Sequence, residues 1–126
     1  MPLTRVSLLK GRTAKEKSVI LDQIYLAMRE TFDVPEDDRF MILTEHEAED
    51  FSFGRSFMNI ARSDMFVIIQ LTVSNTRTTE TKKALFGAIA RRLENEAGIR
   101  QEDVFINLVE ATRDNWSFGN GVAQYA

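Results

Sequence analysis

Loss of the initiator methionine before a small second residue would make Pro2 the N-terminus and expose a secondary amine. Such an amine can give or take a proton. Model α-amino groups titrate near ~7.7–8.0, proline's is more basic, burial or nearby cations lower it, and a carboxylate raises it. The competing role for Pro2 is purely structural, because a proline opening an edge strand loses nothing by lacking an N–H. Arg12 and Arg77 each stand one residue before a threonine able to cap a helix. There a guanidinium and the free backbone N–H groups together suit a carboxylate, which implies a substrate anion. A solvated side chain beside a cap is the alternative for either arginine, less so because the two positions repeat, and Arg77 leads. Asp38 and Asp103 each precede an apolar stretch, where an aspartate equally serves a turn or a strand start. Trp116-Ser117-Phe118-Gly119 is either an apolar pocket wall or the packing of a C-terminal hairpin.

The elements that must position these groups follow from hydrophobic period and punctuation. Leu3 to Leu8 alternates as a strand, Gly11 breaks it, and Thr13-Ala14-Lys15-Glu16 is a capping box with Thr13 as N-cap. Ile20, Leu21, Ile24, Tyr25, Met28 and Phe32 then form the apolar face of a helix that Pro35 stops, and Phe40 to Thr44 is a second strand. Met65 to Val73 is apolar almost throughout, as in a strand covered on both faces. Thr78 opens a second helix with Leu85, Ala88, Ile89 and Leu93 on one side; Gly98 caps it, and Val104 to Val109 closes the pattern. Sliding the chain by 65 residues superimposes Arg12 on Arg77, Thr13 on Thr78, Lys17 on Lys82, Asp38 on Asp103, Phe40 on Phe105 and Glu45 on Glu110.

The expectation is therefore an α/β (α+β) fold in one domain over residues 1–126. Two β-α-β units, about 2–45 and 65–110, share a four-stranded sheet with both helices on one face. That arrangement leaves the other sheet face bare, and other copies of the chain are expected to cover it. Between the units, His46 to Ser63 carries Phe51, Phe53, Phe57 and Met58, either as part of a pocket rim or as a satellite cluster at the sheet edge.

Composition removes whole classes of function. With no cysteine and one histidine among 126 residues, thiolate catalysis, iron–sulfur clusters and multi-histidine metal sites are excluded. His46 sits in the acidic run Glu45 to Asp50, which reads as a solvated charge run rather than a hard-metal site. A net charge of −3 lacks the basic excess that nucleic acid requires. No apolar run approaches the ~20 residues of a membrane span, so a cytoplasmic protein is expected, with neither nucleic acid nor membrane as partner.

Taken together, Met1-Pro2-Leu3, Lys10-Gly11-Arg12-Thr13, Val34 to Phe40, Arg62-Ser63 and Asp114 to Gly119 make the sequence resemble the tautomerase superfamily, most closely its malonate semialdehyde decarboxylase-like branch. The likeness covers nearly the whole chain. It implies a duplicated β-α-β fold, a homotrimer, no cofactor and a catalytic amino-terminal proline, here Pro2. It further implies that Asp38 assists the proline. The branch has two substrate-binding arginines before the second helix; Arg77 matches one, and the other falls on Asn75, which weighs against decarboxylation. Arg12 is similar to the carboxylate-binding arginine of the 4-oxalocrotonate tautomerase branch and is a substitute for it. Trp116 and Phe118 complete the implied pocket.

Two reactions follow from the proton on Pro2. Neutral, it is a general base that interconverts enol and keto forms of a small 2-oxo acid. Protonated beside Asp38, it is a general acid for decarboxylation or hydration of a 3-oxo acid such as malonate semialdehyde, with Arg77 on the carboxylate. Tautomerisation is the favoured expectation, and a non-catalytic oligomeric binding protein is the alternative of another class.

Overall fold

A computed structural model describes residues 2–126; Met1, whose removal the amine chemistry requires, lies outside the described residues. The elements run β1 (Leu3–Leu9), α1 (Ala14–Phe32), β2 (Phe40–His46), β3 (Val67–Ser74), α2 (Thr79–Ala97) and β4 (Val104–Ala111). Strand order is β2-β1-β3-β4. β1 pairs with β2 in parallel and β3 with β4 in parallel, while the central β1 and β3 are antiparallel. Each helix is thus the crossover of one β-α-β unit, and the two units meet head to tail. The 65-residue shift relates Ala14–Phe32 to Thr79–Ala97 residue for residue.

Local sequence explains both helix starts. Thr13 accepts from the Glu16 N–H at 3.1 Å while the Glu16 carboxylate accepts from the Thr13 N–H at 2.9 Å, closing the capping box. Thr78 caps α2 through the Thr81 N–H at 3.2 Å. Such caps stabilise a helix by ~1 kcal/mol each. α1 ends on Asp33 and α2 on Gly98, both left-handed; glycine adopts that conformation without a Cβ clash.

One sheet face alternates Val6 and Leu8 of β1 with Val67, Ile69, Leu71 and Val73 of β3, all buried beneath Ile20, Ile24, Met28, Leu85, Ile89 and Leu93 of the helices. Burying each of these aliphatic side chains stabilises the fold by ~1.5–3 kcal/mol. Among the described residues, the opposite face carries no helix. Register aligns Phe40, Leu3, Thr72 and Val109 in one row across it and Ile42, Arg5, Gln70 and Asn107 in the next. Phe40, Ile42, Phe105 and Val109 there are 41–48% exposed. No helix among the described residues is long and apolar enough to cross a membrane.

Three expectations change. β3 starts at Val67 rather than Met65, because Ser63 turns the chain: its hydroxyl accepts from the Met65 N–H and its carbonyl from the Phe66 N–H. β2 runs on to His46 and β4 to Ala111. The hairpin considered around Trp116 is a series of turns, in which Gly119, Asn120 and Gly121 all have positive φ.

Candidate active site

Pro2 is buried at the end of the sheet where β1 begins. Since Leu3 pairs with Phe40 on one side and Thr72 on the other, Pro2 lies between the Asp38-Arg39 segment and Val73-Ser74. The turn after α1 is set by Asp33 and Asp37, both at positive φ, a conformation aspartate tolerates better than most residues. It is pinned by the Asp37 N–H donating to the Tyr25 hydroxyl at 3.0 Å and by the Arg39 guanidinium stacked 4.8 Å from the Tyr25 ring. Asp38, half-buried, is thereby held at the mouth of a cavity of about 360 Å³ that includes Pro35, Phe40, Phe118 and Tyr125.

Arg77 arrives from the other unit. Its Nη2 donates to the Phe32 carbonyl at 2.7 Å, and its guanidinium lies 4.7 Å from the centre of the Phe32 ring. A second cavity of about 210 Å³, sharing Pro35 and Tyr125 with the first, is lined by Ser74, Thr76, Arg77 and Arg113. Trp116 stacks on Phe118 at 5.7 Å, and Phe118 meets Phe40 at 6.1 Å and Tyr125 at 5.4 Å. Phe118 is thus a wall of the Asp38 cavity, with Trp116 stacked on it. Asn75 is exposed and lines neither cavity, its N–H donating to the Ala111 carbonyl at 3.2 Å.

Arg12 is not at this end. The length of β1, about 20 Å at ~3.3 Å per residue, separates it from Pro2. Its Nη2 donates to the Met65 carbonyl at 2.6 Å. Burial lowers its pKa, against the opposing pull of Glu16 and Asp103. Asp103 is 0% exposed. Burial alone would push its carboxyl up, but the Ser63 hydroxyl and N–H at 2.6 and 2.7 Å, with Arg100 at 3.2 Å, outweigh that and hold it below the usual carboxylate range. The aromatics after β2 also gather at this far end. Phe53 stacks on Phe66 at 4.4 Å, and Phe66 meets Phe105 at 6.2 Å, around a cavity of about 370 Å³. These residues form both a cluster and a rim, remote from Pro2. The His46 ring stacks on Phe51 at 5.6 Å. Its neighbours Glu45 and Glu47 are held by Lys17 and Lys10 at 2.9 and 2.7 Å.

The Pro2 end therefore collects Pro2, Asp38, Arg77, Trp116 and Phe118. Ser74, Arg113 and Tyr125 join them without having stood out in the sequence. A serine closing an apolar strand and an arginine after the last strand carry no local signal; only the sheet brings them together.

Two β-α-β units share one sheet, and Pro2, Asp38 and Arg77 lie at the same end of it. The chain belongs to the tautomerase family. Family models described as "Tautomerase enzyme" match residues 38–119 and, for a second model, residues 2–57. "Probable tautomerase YusQ" of Bacillus subtilis (strain 168) is 39% identical over 98% of both chains. "Probable tautomerase YrdN" of the same organism is 34% identical over 99% of this chain and 96% of its own. Among solved structures, malonate semialdehyde decarboxylase superposes with a TM-score of 0.93 at 29% identity, covering 98% of this chain and 95% of that one. FG41 malonate semialdehyde decarboxylase inhibited by 3-bromopropiolate superposes with a TM-score of 0.92 at 36% identity, covering 98% and 93%. A fused 4-OT, described as a symmetric trimer, shares the fold with a TM-score of 0.80 at 22% identity, covering 98% and 97%.

Proposed function

We propose that the protein is a cofactor-independent keto–enol tautomerase of a small 2-oxo acid, with Pro2 as general base once Met1 is removed. The observation that carries the reading is the placement of Pro2 at the end of the sheet that also carries two cavities with Pro35 and Tyr125 in common, one with cations and one walled by aromatics. The substrate carboxylate binds at Arg77, with Asn75 at the rim. The neutral amine takes the enol hydroxyl proton, and the resulting ammonium returns a proton to the neighbouring carbon, giving the ketone. Arg77 stabilises the charge that develops on oxygen during the transfer. Asp38 sets the proton affinity of the amine, since a nearby carboxylate favours the charged form.

The helix-free sheet face, with its exposed Phe40, Ile42, Phe105 and Val109, supports a homo-oligomer, and the trimer of the fused 4-OT relative supports three copies. Arg12, too far to serve the Pro2 of its own chain, binds substrate at a neighbouring subunit's site in that assembly.

Decay of phenylenolpyruvate enol absorbance is the test. The wild type, confirmed by mass to have lost Met1, accelerates decay, and Pro2→Ala loses ~10²–10⁴-fold of that rate. Equal rates for the two proteins sink the base assignment.

A second reading, decarboxylation or hydration with protonated Pro2 as acid and Asp38 as its partner, is favoured by the match to the two decarboxylase structures. Release of carbon dioxide from malonate semialdehyde without enol turnover would select it. If neither reaction is accelerated, a non-catalytic binder remains.

A further inference from the structure

We infer that Arg113 and Ser74 form, with Arg77, a carboxylate-binding subsite, and that its ligand is a monocarboxylate whose apolar end lies against Phe40 and Phe118. The inference deepens the tautomerase reading and rests on it only for the effect on turnover. Three features of the cavity of about 210 Å³ carry it.

First, the described residues lining the cavity include two guanidinium groups and no carboxylate. Arg77 spends donors on the Phe32 carbonyl and the Thr76 hydroxyl, and a guanidinium has five N–H donors in all, so it retains capacity for an anion. The Arg113 guanidinium lies over the Tyr125 ring, 5.1 Å from its centre, a cation–π contact rather than a hydrogen bond. Second, Ser74 lines the same cavity, is 2% exposed, and its Oγ has no hydrogen-bond partner among the described residues. A buried hydroxyl with nothing to bind is rare in native proteins, and an acceptor from a ligand would satisfy it. Third, the cavity shares Pro35 and Tyr125 with the larger one walled by Phe40 and Phe118. An anionic head held by Arg77, Arg113 and Ser74 would therefore place an apolar tail against those rings.

Arg113 follows the last strand and Ser74 ends β3; the pairing of Ser74 with Ala111 brings them together. Arg113 is exposed, so its replacement leaves the core intact.

Trp116 is the sole tryptophan and stacks on Phe118, so its fluorescence reports occupancy. The unreactive probe 3-phenylpropanoate is titrated into the full-length wild type, Arg113→Gln and Ser74→Ala, with 3-phenylpropanamide as the uncharged control. Arg113→Gln is expected to raise Kd about ten- to hundred-fold and Ser74→Ala several-fold, with unchanged circular dichroism; the amide binds weakly and equally to all three. Arg113→Gln binding within twofold of wild type, equal binding of amide and carboxylate, or no binding of the carboxylate to wild type would each overturn the subsite. If wild type fails to turn over phenylenolpyruvate yet binds the carboxylate in an Arg113-dependent way, the tautomerase reading falls and the subsite stands. If turnover depends on Pro2 while both affinity and KM ignore Arg113, the reverse holds.

Discussion

Asp38 and Asp103 each stand two residues before the phenylalanine of an outer strand, at equivalent points of the two β-α-β units, yet the molecule uses them in opposite ways. Asp103 is sealed at one end of the sheet, taking hydrogen bonds from Ser63 and Arg100. Asp38 stays half-buried on a cavity at the other end. The position equivalent to Arg100 in the first unit is Pro35, which has no charge to offer. The arginines stay alike: Arg12 donates through Nη2 to the Met65 carbonyl and Arg77 to the Phe32 carbonyl, and each lines a cavity at its own end of the sheet. The divergence is thus confined to the carboxylates: Asp103 is sealed by its partners, and Asp38 lines a cavity.

The sharpest way to break the comparison is to exchange the carboxylates for amides. Asp103→Asn should destabilise the fold by about 3 kcal/mol, because it leaves the Ser63 and Arg100 donors without their charged acceptor. Asp38→Asn should change stability far less and act on turnover; urea denaturation and the enol assay separate the two. The depressed folded-state pKa of Asp103 fixes the sign of the pH effect. Its contribution is present above its unfolded value of about 3.9 and is lost as pH falls through the folded value. Wild type should lose stability faster than Asp103→Asn on acidification below about pH 4. Parallel acid limbs would remove Asp103 from its structural role.

A smaller effect is expected at the arginines. Arg77→Gln should raise KM for a 2-oxo acid enol about ten- to hundred-fold, the worth of a charge-assisted hydrogen bond. Arg12→Gln should raise it less, and only in the assembled oligomer. A KM untouched by Arg12→Gln, measured alongside light scattering that shows intact assembly, would confine Arg12 to packing. The smallest effect belongs to a feature the two units share. Lys17 meets Glu45 at 2.9 Å and Lys82 meets Glu110 at 2.8 Å, both partly exposed. Lys17→Gln and Lys82→Gln should each cost under ~1 kcal/mol in thermal unfolding, and by similar amounts. A clear inequality would show that the two units differ in stability as well as in chemistry.

Elements whose causes are local were legible. The capping box at Thr13, the apolar stripes of both helices and Gly98 as C-cap all depend on neighbours within a turn or two, so the residues involved sit close together in the chain. Where the reading missed, a distant contact had intervened. Ser63 ends the loop before β3 by binding an aspartate 40 residues away. The aromatics after His46, legible as a cluster, pack around Phe66 and Phe105 at the far end of the sheet.

What the sequence by itself determined is the order of elements, the repeat and the candidates Pro2, Asp38, Arg12 and Arg77, because residue type and spacing carry that information directly. Only the tertiary structure decided which of them meet. The antiparallel pairing of β1 with β3 sends the start of each unit to opposite ends of the sheet. The extended length of β1 parts Arg12 from Pro2, and that pairing brings Arg77 to the Pro2 end, where Ser74, Arg113 and Tyr125 gather from separate segments around one cavity.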